Sequence, residues 1–134
     1  MGTEAGTPIQ VFLAEDDIDD QELLKEIFLQ INPSIELVSY STGRQFVNQI
    51  EGLSQKPRML ILDYNIPEMN GAEILQHLNQ IGEFNDTVKI VWSTSNSPFY
   101  MNSCLTLGAN AYFVKPASMD GLYHMAKQML GYLD

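Results

Sequence analysis

The chain has 134 residues, 45% of them hydrophobic and 18% charged, and its 17 acidic against 7 basic side chains give a formal net charge of −10. That length suits one domain with a single core, and no apolar run approaches the roughly 20 residues of a membrane span. The 7 Lys and Arg are scattered, leaving no basic stripe to displace counterions from a phosphate backbone, which argues against a nucleic-acid partner. Residues 1–8, MGTEAGTP, carry neither the basic region nor the apolar segment of a secretory signal and read as a disordered lead. The lone Cys104 cannot make an internal disulfide, which fits a reducing, cytoplasmic setting, and it reads as a small buried apolar residue.

Ile9 to Ala14 is predicted as the first strand, closed by Glu15-Asp16-Asp17. Leu23, Leu24, Ile27, Phe28 and Ile31 then recur at helical spacing, with Asp19, Asp20 and Glu22 in the first turn, where the helix dipole favours negative charge. Asn32-Pro33 stops that helix; Ile35 to Tyr40 is the second strand, and Thr42-Gly43-Arg44 opens a helix with Phe46, Val47 and Ile50 inward.

Four consecutive apolar residues, Met59 to Leu62, read as a strand buried on both faces and stop at Asp63. Pro67 and Asn70-Gly71 mark the loop beyond it, before a helix with Ile74, Leu75, Leu78 and Ile81 on its core face and Gly82 at its end. Val88 to Trp92 is the fourth strand, running into Ser93-Thr94-Ser95-Asn96-Ser97-Pro98. A weaker helix follows over about Phe99 to Leu107, with Gly108 as a natural C-cap. Ala111 to Val114 is the fifth strand, ending at Lys115-Pro116; Ser118 caps a last helix whose core face is Leu122, Met125, Ala126, Met129, Leu130 and Leu133. Gly121 inside that helix should cost about 1 kcal/mol relative to Ala.

Five alternations of strand and helix imply right-handed crossovers and a doubly wound α/β domain, a parallel sheet with helices on both faces. The expected strand order is 2-1-3-4-5, which places a ligand site beyond the carboxyl ends of the strands, beside the first. Glu15, Asp16 and Asp17 follow strand one, Asp63 ends strand three, Ser93 and Thr94 follow strand four, and Lys115 follows strand five. Two carboxylates about 4 Å apart repel by roughly 4 kcal/mol at an effective dielectric near 20, so Asp16 and Asp63, with Glu15 behind them, call for a cation. Oxygen ligands in a shallow, wet site suit Mg²⁺, with Mn²⁺ able to substitute. His77 and His124 lie on separate helices as surface residues, and no Cys/His grouping supports zinc. In this arrangement Asp63 is the candidate nucleophile toward phosphorus, with the metal, Lys115 and Ser93 each neutralising a phosphoryl oxygen.

From Ile9 to Leu133 the chain resembles the receiver domain of two-component response regulators, whose order-2-1-3-4-5 sheet is flavodoxin-like. The resemblance is carried by Glu15-Asp16, by the block from Asp63 to Gly71, by Ser93-Thr94, and by Gly108-Ala-Asn-Ala-Tyr-Phe-Val-Lys115-Pro116. It implies that Asp63 accepts a phosphoryl group from a sensor histidine kinase or a phosphotransfer protein. It implies Asp16 as a direct Mg²⁺ ligand, Glu15 acting through water, and Asn65 contributing its backbone carbonyl. Ser93 takes the place of the family's switch Thr or Ser, Tyr112 that of its switch aromatic, and the Lys115–Pro116 bond is usually cis. Beyond Lys89 the basic residues are Lys115 and Lys127, too few for the charge-paired dimer face of many DNA-binding regulators, and Ala117 stands where an aromatic is common.

The expectation is a stand-alone receiver over residues 9–133, with no output domain, that catalyses its own phosphorylation and dephosphorylation but is otherwise a signalling protein. A downstream protein target would dock on the surface from Ser95 to Leu107 and Tyr112, next to Ser93. The alternative is a pseudo-receiver, an interaction module without chemistry. A flavodoxin-like flavin binder would need a phosphate cradle where three carboxylates stand, and a dehalogenase-type phosphatase would need its nucleophile after the first strand.

Overall fold

The computed structural model describes residues 7–134, so most of the expected lead, positions 1–6, lies outside the described residues. Five strands, β1 (Ile9–Ala14), β2 (Ile35–Tyr40), β3 (Met59–Asp63), β4 (Val88–Ser93) and β5 (Ala111–Val114), alternate with α1 (Ile18–Ile31), α2 (Gly43–Glu51), α3 (Gly71–Ile81), α4 (Pro98–Thr106) and α5 (Met119–Gly131). The sheet is parallel in the order β2-β1-β3-β4-β5. This is the flavodoxin-like arrangement the alternation implied. The strands carry near-continuous apolar runs because both faces are covered.

Alternation along the strands sorts the core into two layers. Val11, Leu13, Met59, Ile61, Ile90 and Trp92 pack with α1 and α5 through Leu24, Phe28, Met125 and Met129. Phe12, Leu60, Leu62 and Val91 face α2, α3 and α4 through Phe46, Ile50, Ile74, Leu78 and Cys104. Leu23, Ile31 and Leu133 sit half-buried at the edges of the first layer. Cys104 is fully buried, and burial pushes its thiol up to about 11, which leaves it an inert packing residue.

The caps follow the chemistry of their sequences. Asp17, Thr42, Asn70, Ser97 and Ser118 each accept a backbone N–H from the first turn of the helix they precede, and Asn70 and Glu73 form a reciprocal capping box. Pro98 is helical, so α4 begins one residue before the expected Phe99; Pro is well suited to a first turn, where its missing N–H has no partner to lose. Gly82 (φ 78°) and Gly108 (φ 104°) take the left-handed conformation that ends α3 and follows α4.

Gly121 departs from the propensity argument. A Cβ built there would lie 2.8 Å from Pro116 Cβ, so α5 needs a glycine where it passes the segment after β5. Similarly, a Cβ on Gly43 would come within 2.1 Å of the Met69 carbonyl oxygen, and Gly43 N–H donates to Pro67 O at 3.0 Å. The start of α2 is thus pressed against the loop that follows β3. Glu68 in that loop has φ 72°, a left-handed conformation uncommon outside glycine.

Candidate functional site

The register of the sheet brings the strand tips together. Leu13 lies beside Ile61 and Asp63 beside Trp92, so Glu15, Asp63 and Trp92 project from the same sheet face, the one covered by α1 and α5. Ser93 and Tyr112, each one residue out of phase, project from the other face. The predicted rim therefore divides into an ionic side and a hydroxyl side.

On the ionic side, Glu15, Asp16 and Asp63 each place a carboxylate oxygen within 4.8 Å of the others. Glu15 and Asp63 are buried and Asp16 is exposed, which gives the group a floor and an open side. Asp63 Oδ1 accepts the Asn65 N–H at 3.1 Å, and Glu15 Oε2 accepts the Asp17 N–H at 3.0 Å. Burial pushes the Glu15 carboxyl up to about 8, and the neighbouring Asp63 charge adds to that rise; the bonds from Lys115 and Asp17 oppose it. An all-oxygen set of three carboxylates fits a hard divalent ion, and nothing in it favours zinc.

Lys115 Nζ donates to Glu15 Oε1 at 2.7 Å, Asp20 Oδ2 at 2.9 Å and Asp63 Oδ2 at 3.3 Å. Burial lowers its pKa, but the bonds to Glu15 and Asp20 and the Asp63 charge outweigh burial and hold it above the ordinary lysine value. The expected cis bond before Pro116 is not found: among the described residues every peptide bond is trans. Lys115 N–H donates to Ser93 O at 2.7 Å, which extends the β5 ladder by one residue and launches the side chain toward the carboxylates from a trans backbone.

Asp20 was missed as a partner of this site. Sequence reasoning placed it in the first turn of α1 as a charge favoured by the helix dipole. The available signal was its spacing: Asp20 lies one helical turn after Asp17, the α1 cap, at the mouth of the same loop.

On the hydroxyl side, Ser93 is fully buried and its Oγ accepts the Ser95 N–H at 3.1 Å. Tyr112 is half-buried, and its hydroxyl donates to Ser95 O at 2.9 Å. The two residues expected to act together are joined through Ser95. Tyr64, next to Asp63, stacks on Tyr100 of α4 with centroids 4.3 Å apart and planes at 15°. His77 pairs with Glu51 at 2.7 Å and His124 is exposed, so neither histidine belongs to the site.

Comparison with known proteins agrees with this fold. Response regulator Rcp1 of Synechocystis sp. is 25% identical over 132 residues, covering 95% of this chain and 90% of that protein. Two-component response regulator ORR3 of Oryza sativa is 22% identical, covering 90% of this chain and 89% of its own. Two-component response regulator ARR9 of Arabidopsis thaliana is 24% identical, but the chain spans 63% of its length. Among solved structures, the phosphorylated cyanobacterial phytochrome response regulator RcpA superposes with a TM-score of 0.87 at 22% identity, covering 95% of this chain and 94% of that one. The Mn²⁺-bound form of Rcp1 gives 0.84 at 22% identity, covering 93% and 94%. Response regulator RPA3017, in red light signalling of R. palustris, gives 0.82 at 28% identity, covering 93% and 92%. The signature of the response regulator receiver domain matches residues 11–127. The chain belongs to the receiver-domain family of two-component response regulators.

Proposed function

We propose that this receiver is a phosphorylation switch in which Asp63 takes a phosphoryl group from a sensor histidine kinase or phosphotransfer protein. The observation that carries this reading is Lys115 and three carboxylates converging on one rim, with Asp63 at its centre. An Asp63 carboxylate oxygen attacks phosphorus as the P–N bond of the donor's ring-protonated phosphohistidine breaks, giving a mixed anhydride and leaving the ring proton on a neutral imidazole. The Lys115 ammonium, 3.3 Å from Asp63 Oδ2, stands ready for one phosphoryl oxygen. Ser93 Oγ, freed from the Ser95 N–H, reaches another.

Asp16, Asp63 and the Asn65 carbonyl would hold Mg²⁺, with Glu15 acting through water; the ion supplies charge neutralisation at the transferring group. Mn²⁺ would serve as well, which the Mn²⁺-bound form of the structural neighbour Rcp1 supports. Water entering by the exposed Asp16 side can attack the anhydride and reset Asp63, so the state is timed.

The readout is proposed to pass through Ser93. If its hydroxyl leaves the Ser95 N–H, the loop that also accepts the Tyr112 hydroxyl loses an anchor. The α4 surface beside it already exposes Phe99 and Leu105 and would meet a downstream protein target. Binding there can report phosphorylation only through unequal affinity for the two states.

Incubation with acetyl phosphate and Mg²⁺, followed by intact mass, tests the chemistry. Wild type should gain one phosphoryl group and Asp63→Asn none. A wild-type chain that stays unmodified, with folding intact, would favour the pseudo-receiver alternative.

A further inference from the structure

Lys115 rests on more than the carboxylates just described. Its Nζ lies 4.6 Å from the centroid of the Trp92 ring. Trp92 is almost completely buried against α1 and α5, so the ring is a fixed floor under the ammonium. Its indole N–H meets no acceptor among the described residues, so what the side chain offers the site is its face. The third carboxylate, Asp20 at 2.9 Å, stands outside the Glu15-Asp16-Asp63 group.

This division matters once a divalent ion is present. The ion would compete with Lys115 for Asp63 directly and for Glu15 through its bound water, and two cations brought that close repel each other. A lysine held by those two carboxylates alone would be driven toward solvent as the site loads. Asp20 and the Trp92 ring are the contacts the ion does not claim. We propose that Asp20 and Trp92 are positioning residues that form a metal-independent seat for Lys115, keeping its ammonium at Asp63 when a divalent ion occupies the acidic group. The inference rests on the phosphorylation reading for its kinetic consequence, but the seat itself is a statement about the ground state.

Two arms keep these separable, both on the full chain. The first needs no phosphodonor. Trp92 is the only tryptophan, and an ammonium over an indole face perturbs its emission. At saturating Mg²⁺, emission should differ between wild type and Lys115→Ala, and Asp20→Asn should shift toward the Lys115→Ala value. Identical emission in wild type and Lys115→Ala overturns the seat.

The second arm reads Asp63 modification by acetyl phosphate at saturating Mg²⁺, with ion affinity from calorimetry. Asp20→Asn and Trp92→Leu should each slow modification by about tenfold, with the Mg²⁺ dissociation constant held to within about twofold, since neither side chain belongs to the acidic group. Asp20→Glu and Trp92→Phe, which restore a carboxylate and an aromatic face, should recover most of the rate. Asp20→Asn at the wild-type rate overturns the proposal, even if Trp92→Leu fails to fold. Trp92→Phe as slow as Trp92→Leu overturns the ring's part in it, because volume rather than the face would then matter. A wild-type chain that acetyl phosphate leaves unmodified removes the phosphorylation reading, and the emission arm alone then decides the seat.

Discussion

Glu15 shows how one buried side chain ties stability, pH and metal together. Burial raises its carboxyl from an ordinary 4.5 to about 8. The folded chain therefore holds a proton there that the unfolded chain has released. Stability from this group is complete below about pH 4.5 and declines as pH rises toward 8, so the metal-free protein should melt lower across that window. A divalent ion takes the proton's place, so its stabilising effect should grow over the same range. Melting curves from pH 5 to 8.5, with chelator and with Mg²⁺, check this, as does proton uptake or release on adding Mg²⁺ at pH 7 in weak buffer. No proton release would mean Glu15 is already ionised, with Lys115 overcoming its burial.

Lys89 is a second buried charge, at the opposite end of the sheet. Its ammonium donates to the backbone carbonyls of Phe84 and Thr87, and burial lowers its pKa while Asp86 pulls the other way. Lys89→Met should cost about 1–3 kcal/mol by taking the ammonium donor from the Thr87 carbonyl, while the Phe84 carbonyl keeps the Thr87 N–H. Urea titration reads that loss, which should leave Asp63 modification unchanged.

Helix ends and loops set where these side chains stand. Gly121→Ala would be stabilising by about 1 kcal/mol if helix propensity decided. The 2.8 Å approach of Pro116 reverses the expectation, since α5 or the segment after Lys115 must give way. Chemical denaturation should show a loss of about 1–3 kcal/mol. Gly43→Ala meets backbone at Met69 O instead of a movable side chain, and should displace the β3–α3 loop. That loop and α4 are also joined by the Tyr64–Tyr100 stack, which places α4 directly over the residue after Asp63. Tyr112→Ala removes the hydroxyl that anchors the Ser95 carbonyl. It should leave the modification of Asp63 intact and weaken the dependence of partner binding on phosphorylation, measured as the ratio of affinities of the two states.

Across the molecule, the acidic excess is tolerable because it has somewhere to go. A chain of net charge −10 repels itself when compact, and the Asp16 and Asp63 carboxylates, joined by Glu15 as it loses its proton, concentrate that repulsion at one rim. Lys115 offsets part of it in the metal-free protein. Mg²⁺ should therefore raise the melting temperature, by about 1.4 kcal/mol of stability per tenfold excess of ion over its dissociation constant. Asp16→Ala should abolish the gain while costing the metal-free protein little, because Asp16 is exposed. A gain that survives Asp16→Ala would place the ion elsewhere.

The alternation of apolar runs with helical periods determined the five strands, their helices and the parallel sheet, because each element's hydrophobic period is a local property of the chain. Strands end where the backbone meets charge or a turn residue, so the rim of Glu15, Asp16, Asp63, Ser93 and Lys115 was legible as well. What the sequence could not decide was contact between residues whose separation along the chain says nothing of their distance. Asp20 looked like a helix-dipole charge until the fold laid α1 beside the tip of β5. Trp92 read as the last residue of the fourth strand until the register put its ring under Lys115. Gly121 looked like a defect until Pro116 filled the space beside it. The trans bond at Lys115–Pro116 belongs to the same class, since sequence allows either isomer and the β5–β4 ladder carries the lysine to its partners from the trans form.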